Sequence, residues 1–293
     1  MRRDGIRAGL LPDGKRLHLQ HGPIDLIIEG FGHPAEVHAA YVQAAAGFVD
    51  VLPTLVKELP LLRGPLTDAR PLPAGPVAQR MVAACWPHRA SFITPMAAVA
   101  GSVADHVLQA LLDGRHLERA YVNDGGDIAF HLASGQSLTC GLVADLAAPA
   151  IDGTILLTHA MPVRGLATSG RATKGQGGRS FSLGIADAVT VLARNAATAD
   201  AAATMIANAV DLPGHAAIAR EPASAHDPDS DLGERSVTLA VGELSESEIA
   251  EALQSGVAKA EALRRSGLIH GAVLVLKRRL ATVGTDLPLL AAA

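Results

Sequence analysis

The chain has 293 residues, of which 49% are hydrophobic and only 3% are aromatic, so it is long and apolar enough to bury a substantial core, and we expect most of the chain to be ordered. Its 25 basic and 29 acidic residues give a net charge of −4, which argues against a protein devoted to nucleic acid or to an anionic membrane. The two cysteines, Cys85 and Cys140, lie far apart and lack metal-ligand spacing, so the sequence indicates neither a disulfide framework nor a zinc site. The basic N-terminus lacks the apolar segment of a signal peptide, and we expect a cytoplasmic protein.

The first part of the chain alternates between strand-like and helix-like patterns. Arg16 to Gln20 and Ile24 to Glu29 alternate polar and apolar residues as a pair of strands would. From Pro34 to Leu59 the apolar residues follow helical spacing, and Pro53 should kink or divide that helix. Prolines then punctuate residues 60–76, which we interpret as a surface linker.

The stretch from Thr94 to Leu132 predicts a helix, a strand, a tight turn and a second strand. A run of small residues leads into the helix, which should stop at Gly114. The turn is Asp124-Gly125-Gly126. Consecutive glycines let a backbone approach a ligand closely, and neighbouring carboxylates can hold sugar hydroxyls or a hard cation. The alternative is an ordinary hairpin, because Asp-Gly is first of all a turn former.

The second half of the chain carries further strand and helix patterns separated by turn residues. The helix at Glu246 to Ser266 begins with a capping box made by Ser245 and Glu248, and Gly267 is its expected C-cap. We expect residues 285–293 to form a loose, alanine-rich tail. The remaining predicted elements are strands at Ser137–Val143, Thr154–Thr158, Val163–Thr168, Ala188–Ala193, Ser236–Val241 and Ala272–Lys277, a glycine-rich loop at Ser169–Gly184, a helix at Ala199–Val210 and an irregular segment at Arg220–Gly233.

The helix predicted at Ala199 to Val210 carries one polar stripe. Asp200, Thr204 and Asn208 recur at every fourth position and therefore share one helical face. A carboxylate and a hydroxyl on one face supply the hard oxygen ligands that Mg²⁺ prefers. The alternative is a structural one, in which Asp200 lies in the first helical turn and interacts with the helix dipole while the rest of the stripe is solvated.

The segment Thr168-Ser169-Gly170-Arg171 resembles a phosphate-binding loop in composition. Its backbone amides and the cations of Arg171 and Lys174 would suit a pyrophosphate. It is not a P-loop, because Gln176 stands where that motif requires lysine. A surface loop without function is the alternative.

Taken together, these stretches resemble one uncharacterised bacterial and archaeal family of the ApbE-like superfamily, whose named members are Mg-dependent FAD:protein FMN transferases. The resemblance to the small family covers nearly the whole chain. The link to the transferases depends on fewer matches, between Ala97 and Thr204. The matching stretches are LHLQHGPIDLIIEG (17–30), FITPMAAVAGSVAD (92–105), VNDGGDIA (122–129), GLATSGR (165–171), GGRSFSLGIADAVTVLA (177–193) and DPDSDLG (227–233).

The resemblance implies a fold and a set of ligands. The fold is α+β and T-fold-like, with mainly antiparallel sheet and paired helices in one ApbE-like domain over residues 1–293. Mg²⁺ would be held by the Asp200 and Thr204 side chains and the backbone carbonyl of Ala97. The residues implied in contact with FAD are Thr94, Met96, Gly101, Asn123, Asp124, Gly125, Gly126, Asp127, Thr168, Ser169, Gly170 and Arg171.

Two departures from the transferases bear on catalysis. The transferases carry a His-x-x-Asp-Pro segment before the strand that precedes the metal helix, whereas Ser180 to Asp187 contains no histidine. Ala100 also stands where their Ala-Lys-Gly segment has lysine. Without these groups, the sequence shows no evident residue that could activate a substrate threonine. We therefore assign no catalytic residue.

We therefore predict a flavin-nucleotide-binding protein, with Mg-dependent chemistry on the FAD phosphoanhydride as its reaction if it is an enzyme. One alternative is a non-catalytic carrier of a flavin or a pterin-like ring. Another is a structural partner in an assembly whose pocket is vestigial. The expected ligand is a small nucleotide rather than nucleic acid or a membrane, and the sequence leaves open whether the chain forms a homo-oligomer.

Overall fold

The computed structural model describes residues 2–3, 5–142, 153–170, 181–284 and 289–291. Short 3₁₀ turns lie at Trp86–His88, Pro95–Ala98 and Ala223–Ala225. The helices are α1 (Pro34–Phe48), α2 (Val51–Lys57), α3 (Leu59–Leu62), α4 (Pro76–Cys85), α5 (Val99–Leu112), α6 (Ala196–Ala209) and α7 (Glu246–Arg265). The strands are β1 (Arg2–Arg3), β2 (Ile6–Leu10), β3 (Leu17–His21), β4 (Ile24–Gly32), β5 (Leu117–Asp124), β6 (Asp127–Leu132), β7 (Ser137–Leu142), β8 (Gly153–Thr158), β9 (Gly165–Ser169), β10 (Ala188–Ala193), β11 (Ile218–Pro222), β12 (Ser236–Val241), β13 (Gly271–Leu276), β14 (Arg279–Val283) and β15 (Leu289–Ala291).

The predicted α+β class with mainly antiparallel sheet is confirmed. Every strand pairing whose register is described is antiparallel. The chain divides into two compact units, and a single domain over residues 1–293 stays a prediction. The first unit comprises Met1–Leu138, Leu157–Ala167 and Arg194–Asp200, and the second comprises Thr139–Leu156, Thr168–Ala193 and Ala201–Ala293.

The first unit is a meander of antiparallel strands, β2 to β6, whose buried face is covered by helices. Leu19 lies opposite Leu26, and Ile28 lies opposite Val122, all four without exposed surface. Burial of this apolar surface is the main favourable contribution to folding of the unit. The helical residues in the same core include Ala40, Ala44 and Phe48 of α1, Met81 of α4 and Val103, Val107 and Leu111 of α5.

The second unit contains the antiparallel strands β10, β13 and β14, against which α7 packs. The contact of α7 is close because Gly256 has no side chain. A Cβ atom at Gly256 would lie 2.3 Å from Cγ2 of Val210 and 2.7 Å from Cδ2 of Leu274. In separate pairings, β11 lies beside β12, and β15 lies beside β8.

Elements with strong local signals occur where the sequence predicts them. Strands β10 and β12 have the predicted bounds. The capping box of α7 is present, with Ser245 and Glu248 each bonding the other's backbone N–H. Gly267 follows the C-terminus of α7 with φ of +74°, a conformation that favours glycine.

The predicted division of the long N-terminal helix near Pro53 is confirmed, whereas one prediction about a loop is wrong. The long N-terminal helix divides between Phe48 and Val51, before Pro53, which lies in the first turn of α2. Proline fits there because a first-turn N–H has no partner within the helix. The segment Arg220–Gly233, expected to be irregular, contains the end of β11 and a 3₁₀ turn. Strand β2 carries no clear sequence signal and was not predicted.

Two helical stretches, Pro34–Lys57 and Pro95–Leu112, are long and apolar enough to cross a membrane by length and composition alone. Their most apolar windows are 33% and 50% buried inside the protein. A core helix of a soluble protein passes the same test, so these stretches are weak evidence for a membrane protein. A cytoplasmic location stays a prediction.

Candidate functional site

The start of α6 is held by two polar side chains of the first unit. Both carboxylate oxygens of Asp105 accept hydrogen bonds, from the N–H groups of Ala196 at 3.0 Å and Ala197 at 2.9 Å. The side-chain oxygen of Asn195 accepts from the N–H of Thr198 at 2.8 Å. Amides of a first helical turn have no partner within the helix, so these acceptors allow α6 to begin at Ala196, three residues before the predicted start.

Asp200 consequently lies beyond the first turn of α6, and its predicted first-turn position is wrong. Its Oδ2 accepts a hydrogen bond from the N–H of Gly101, the third residue of α5, at 3.0 Å. Helices α5 and α6 therefore each supply one carboxylate to the other's first turn. The approach requires glycine, because a Cβ atom at Gly101 would lie 2.4 Å from the carbonyl oxygen of Ala196.

The turn between β5 and β6 is built by Gly125 and Gly126, with φ values of +63° and +111°. The side-chain oxygen of Asn123 accepts from the N–H of Gly126 at 2.8 Å and fixes the turn. Asp124 and Asp127 lie opposite each other at the ends of the two strands. A Cβ atom at either glycine would meet nothing within 4 Å, so this backbone is open to the approach of a ligand.

Three carboxyl groups of the first unit influence one another at this end of the sheet. Burial raises the pKa of Asp200 well above its ordinary value, and repulsion from Asp127 and Asp124 raises it further. Burial, followed by repulsion from Asp127, likewise raises the pKa of Asp124 well above its ordinary value. Each shift means that ionising these groups together is unfavourable. A cation bound beside them would relieve the repulsion.

The oxygen donors of Asp200 suit a hard cation. Its Oδ2 accepts from Gly101, which leaves Oδ1 for a ligand. Carboxylate, hydroxyl and carbonyl oxygens, as in the predicted set of Asp200, Thr204 and Ala97, are the donors that Mg²⁺ prefers. In the part of the chain that the structure describes, no group of three or more His, Cys, Asp or Glu side chains is arranged to hold a metal ion. A site here would therefore depend on hydroxyl, carbonyl and water ligands as well.

The other predicted contacts in the first unit lie before α5. Thr94 is buried and precedes the 3₁₀ turn Pro95–Ala98, where its carbonyl accepts from the N–H of Ala97 at 3.2 Å. Met96 is partly buried and packs against the core of the unit. These residues shape the entry to α5, which carries Gly101.

The predicted contacts in the second unit lie near the end of β9. The hydroxyls of Thr168 and Thr190 are 2.9 Å apart. Gly170 has φ of +130°, and a Cβ atom there would lie 2.6 Å from the carbonyl oxygen of Asp187, so only glycine fits. Ser169 and Thr204 are partly buried, and Arg171 lies outside the described residues. A role in flavin binding stays a prediction for all of them.

The rest of the polar stripe and the segment that lacks histidine have structural roles. Oδ1 of Asn208 accepts from the N–H of Leu183 at 3.1 Å, so Asn208 anchors a loop. Oδ2 of Asp187 accepts from the N–H of Lys277 at 2.5 Å and holds the turn between β13 and β14. Neither side chain is left as an evident catalytic group.

Sequence reasoning assigned no role to Asp105 or Asn195, although both determine where α6 begins. Asp105 is the one aspartate or glutamate in α5, a helix whose other residues are mostly apolar and small. A lone acid on a buried helical face indicates a fixed internal partner, since an unpaired buried charge is costly. The lone acid therefore indicates that Asp105 has a hydrogen-bond partner, but it does not identify that partner, Ala196, which lies 91 residues away.

Relatives with curated sequences share part of the chain. A UPF0280 protein of Methanothermobacter thermautotrophicus is 38% identical over 152 residues, which are 50% of this chain and 55% of the relative. A UPF0280 protein of Archaeoglobus fulgidus is 33% identical over 139 residues, which are 46% of this chain and 51% of the relative. The chain spans about half the length of the curated relatives that it matches.

Solved structures of ApbE proteins are more distant. An ApbE protein from Thermotoga maritima is 15% identical with a TM-score of 0.39, covering 88% of this chain and 77% of that one. The flavin transferase ApbE from Vibrio cholerae is 13% identical with a TM-score of 0.39, covering 96% and 97%. Similarity at this level adds no argument about function.

The family comparison is more extensive. The family described as AbpE bacteria matches residues 8–284, which is well over half of the chain. The match includes α5, α6 and the turn between β5 and β6. The chain therefore belongs to the AbpE bacteria family, an uncharacterised family of the ApbE-like superfamily, whose known members are FAD:protein FMN transferases.

Proposed function

We propose that the protein binds a flavin nucleotide, FAD, at the turn between β5 and β6, and that binding depends on Mg²⁺. The observation that carries the proposal is the open Gly125-Gly126 backbone beside the carboxyl groups of Asp124, Asp127 and Asp200. A glycine turn admits a ligand against its backbone, and membership of the AbpE bacteria family supports a flavin nucleotide as that ligand.

The charges explain why a cation is needed. The diphosphate of FAD is anionic, and the carboxyl groups of Asp124, Asp127 and Asp200 would repel it. A divalent cation between them would turn this repulsion into attraction. Oδ1 of Asp200 would be one ligand, with the hydroxyl of Thr204, one helical turn further along α6, and the carbonyl of Ala97 as the other protein ligands. When bound, Mg²⁺ would supply Lewis-acid polarisation of a phosphoryl oxygen.

Transfer of FMN to a protein threonine is not expected. Such a step needs a base to accept the threonine proton, and a positioned base contributes about 10²–10⁴-fold. No histidine occurs in residues 181–187, and Asp187 is bonded to the N–H of Lys277. Asp124, at the end of β5 beside the turn, is the remaining candidate base. Slow hydrolysis of the phosphoanhydride is the most that we expect.

Titration of the protein with FAD, with and without Mg²⁺, tests the binding proposal. Asp200→Asn is the informative variant, because the amide oxygen can still accept from Gly101 while the charge is lost. We expect Mg²⁺ to strengthen FAD binding in the parent but not in Asp200→Asn. Asp68→Asn, an exposed loop substitution, is the control and should behave as the parent does. Absence of saturable FAD binding with folded protein and Mg²⁺ up to about 1 mM would overturn the proposal.

The missing histidine favours a second candidate, a carrier that holds a flavin or a pterin-like ring without turning it over. Tight FAD binding without release of FMN over hours would favour the carrier. An assay with FAD, Mg²⁺ and a flavinylated acceptor domain measures transfer directly. A flavin-labelled acceptor formed at ordinary enzymatic rates would contradict both the carrier and the expected loss of transferase activity.

A further inference from the structure

A polar cleft lies in the first unit at the start of α6, and the proposed flavin site does not account for it. Its volume is about 150 Å³, and Arg80, Asp105, Arg194, Asn195 and Thr198 line it. That volume far exceeds the ~10–15 Å³ that one water molecule needs, but it is below the ~300–1,000 Å³ of pockets that enclose a whole organic ligand. The cleft therefore has room for one small polyatomic group.

The charges of the cleft favour an anion. Arg80 and Arg194 bring two positive charges, and Asp105 brings one negative charge at most. Both oxygens of Asp105 already accept from the first amides of α6, so its charge is partly neutralised within the protein. The positive end of the dipole of α6, a helix of 14 residues, adds to the positive potential.

The amides of α6 are not the donors. The N–H groups of Ala196 and Ala197 bond to Asp105, that of Thr198 bonds to the Asn195 side chain, and that of Ala199 bonds to the Asn195 carbonyl. A ligand in the cleft would therefore have to be held by side chains rather than by a vacant helix N-terminus.

Four side chains still have hydrogen-bond donors to offer. Thr198 is only 4% exposed and lines the cleft, yet its hydroxyl makes no hydrogen bond among the described residues. Oδ1 of Asn195 is committed to the N–H of Thr198, which leaves the amide NH₂ group as donor. Arg80 bonds to Gln109 through one nitrogen, and the side chain of Arg194 makes no bond among the described residues.

We propose that this cleft binds one tetrahedral oxyanion, a phosphate group, through the side chains of Arg80, Arg194, Asn195 and Thr198. Guanidinium groups, an amide and a hydroxyl are the donors that match phosphate oxygens. The fit in volume and charge is to a single phosphate, either free or as the monoester end of a larger molecule that extends into solvent.

Calorimetric titration of the full chain with inorganic phosphate at constant ionic strength tests this proposal. We expect saturable binding in the range of ~1 mM or tighter, which Arg80→Gln and Arg194→Gln weaken by at least about tenfold. Arg63→Gln removes the same charge from an exposed position outside the cleft and should leave binding unchanged. Methyl phosphate binding as well as inorganic phosphate would identify a monoester site, whereas binding of phosphate alone would identify a free-ion site.

The variants Thr198→Val and Thr198→Ser distinguish specific phosphate binding in the cleft from a general attraction of anions to positive charge, because neither substitution changes the charge. Valine removes the buried hydroxyl and should weaken phosphate binding severalfold, whereas serine keeps the hydroxyl and should restore it. Thermal unfolding checks that both variants are folded. The proposal is overturned if the parent does not bind phosphate, if Arg63→Gln weakens binding as much as Arg194→Gln does, or if folded Thr198→Val binds as the parent does. Asp200→Asn should leave phosphate binding intact, which separates this site from the proposed flavin site.

Discussion

The starts of α6 and α7 meet the same physical requirement in different ways. The first-turn amides of α6 are bonded by Asp105, 91 residues earlier in the chain, and by the adjacent Asn195. The start of α7 is capped by Ser245 and Glu248, which lie within three residues of each other. Asp105 is 9% exposed, whereas Ser245 and Glu248 lie at the surface. A capping group can therefore be a tertiary contact or a purely local one.

The carboxyl groups of Asp105 and Glu248 have opposite pKa shifts, because burial dominates for Asp105 and hydrogen bonds dominate for Glu248. Burial raises the pKa of Asp105, although the two amide bonds oppose the rise. Exposed Glu248 has its pKa lowered to about 2, first by the hydrogen bond from His215 and then by the bonds from Ser245. The Asp105 contribution to stability therefore falls as pH rises through its raised pKa, whereas that of Glu248 is lost as pH falls towards about 2.

The largest expected effect comes from Gly165 in β9, which lies against the start of α6. A Cβ atom at Gly165 would lie 2.0 Å from the backbone N of Ala196 and 2.0 Å from the backbone C of Asn195. Backbone atoms of a capped helix cannot move aside cheaply, so Gly165→Ala should lower the free energy of unfolding by roughly 3 kcal/mol or more. Urea denaturation measures this change.

Gly9→Ala is the control for that prediction. Gly9 also lies in a strand, β2, and a Cβ atom there would meet nothing within 4 Å. We expect a change of less than about 0.5 kcal/mol. Equal effects of the two substitutions would show that the close approach at the start of α6 does not constrain the first unit.

The next largest effect concerns the buried cap. Asp105→Ala removes both acceptors of the α6 amides and should cost about 2–3 kcal/mol in the free energy of unfolding, because charged hydrogen bonds in a buried place are lost. Asp105→Asn keeps one oxygen acceptor and should cost less. Hydrogen exchange at Ala196 and Ala197 provides a second measurement, and protection retained in Asp105→Ala would contradict the assigned bonds.

Most of the local structure could be predicted from the sequence. The capping box of α7 and the bounds of β10 and β12 depend on neighbouring residues, and each is confirmed. Strand β11 was missed because only Ile218 among its residues is buried, so it shows no apolar alternation. The antiparallel pairing of β11 with β12 holds this segment in a strand, and that pairing is not visible in the local sequence.

The candidate site was predictable only in part. The Asp-Gly and Gly-Gly dipeptides are enough to predict the turn at Gly125-Gly126. Residue spacing cannot predict that Asp200 lies close to Asp124 and Asp127, which precede it by more than seventy positions. Only the resemblance to a family suggested that grouping. The bond from Gly101 to Asp200 spans 99 residues, and no local pattern encodes it. Long-range carboxylate caps of this kind require the tertiary structure.

A smaller effect is expected at the local cap. Ser245→Ala removes the side-chain acceptor for the N–H of Glu248 and should lower the free energy of unfolding by about 1 kcal/mol. Ser255→Ala in the middle of α7 is the control, since its hydroxyl bonds only to a carbonyl already within the helix, and its effect should be near zero. If Ser245→Ala cost as much as Asp105→Ala, burial would not distinguish the two caps.

The smallest effect is the pH dependence that Glu248 contributes. Nδ1 of His215 accepts from the N–H of Ala217 at 3.2 Å, so Nε2 carries the proton that bonds to Glu248 at 2.8 Å. Because the folded state holds Glu248 ionised down to a pKa of about 2, its stabilising contribution is complete above the ordinary value of 4.5 and is lost as pH falls between them. The difference in melting temperature between the parent and Glu248→Gln should therefore shrink as pH falls from about 5 to about 2. Glu251→Gln, at an exposed position of the same helix, should show no such convergence. A parent–Glu248→Gln difference that stays constant over this range would mean that the exposed carboxyl group contributes no pH-dependent stability, and only the buried caps would then link folding to pH.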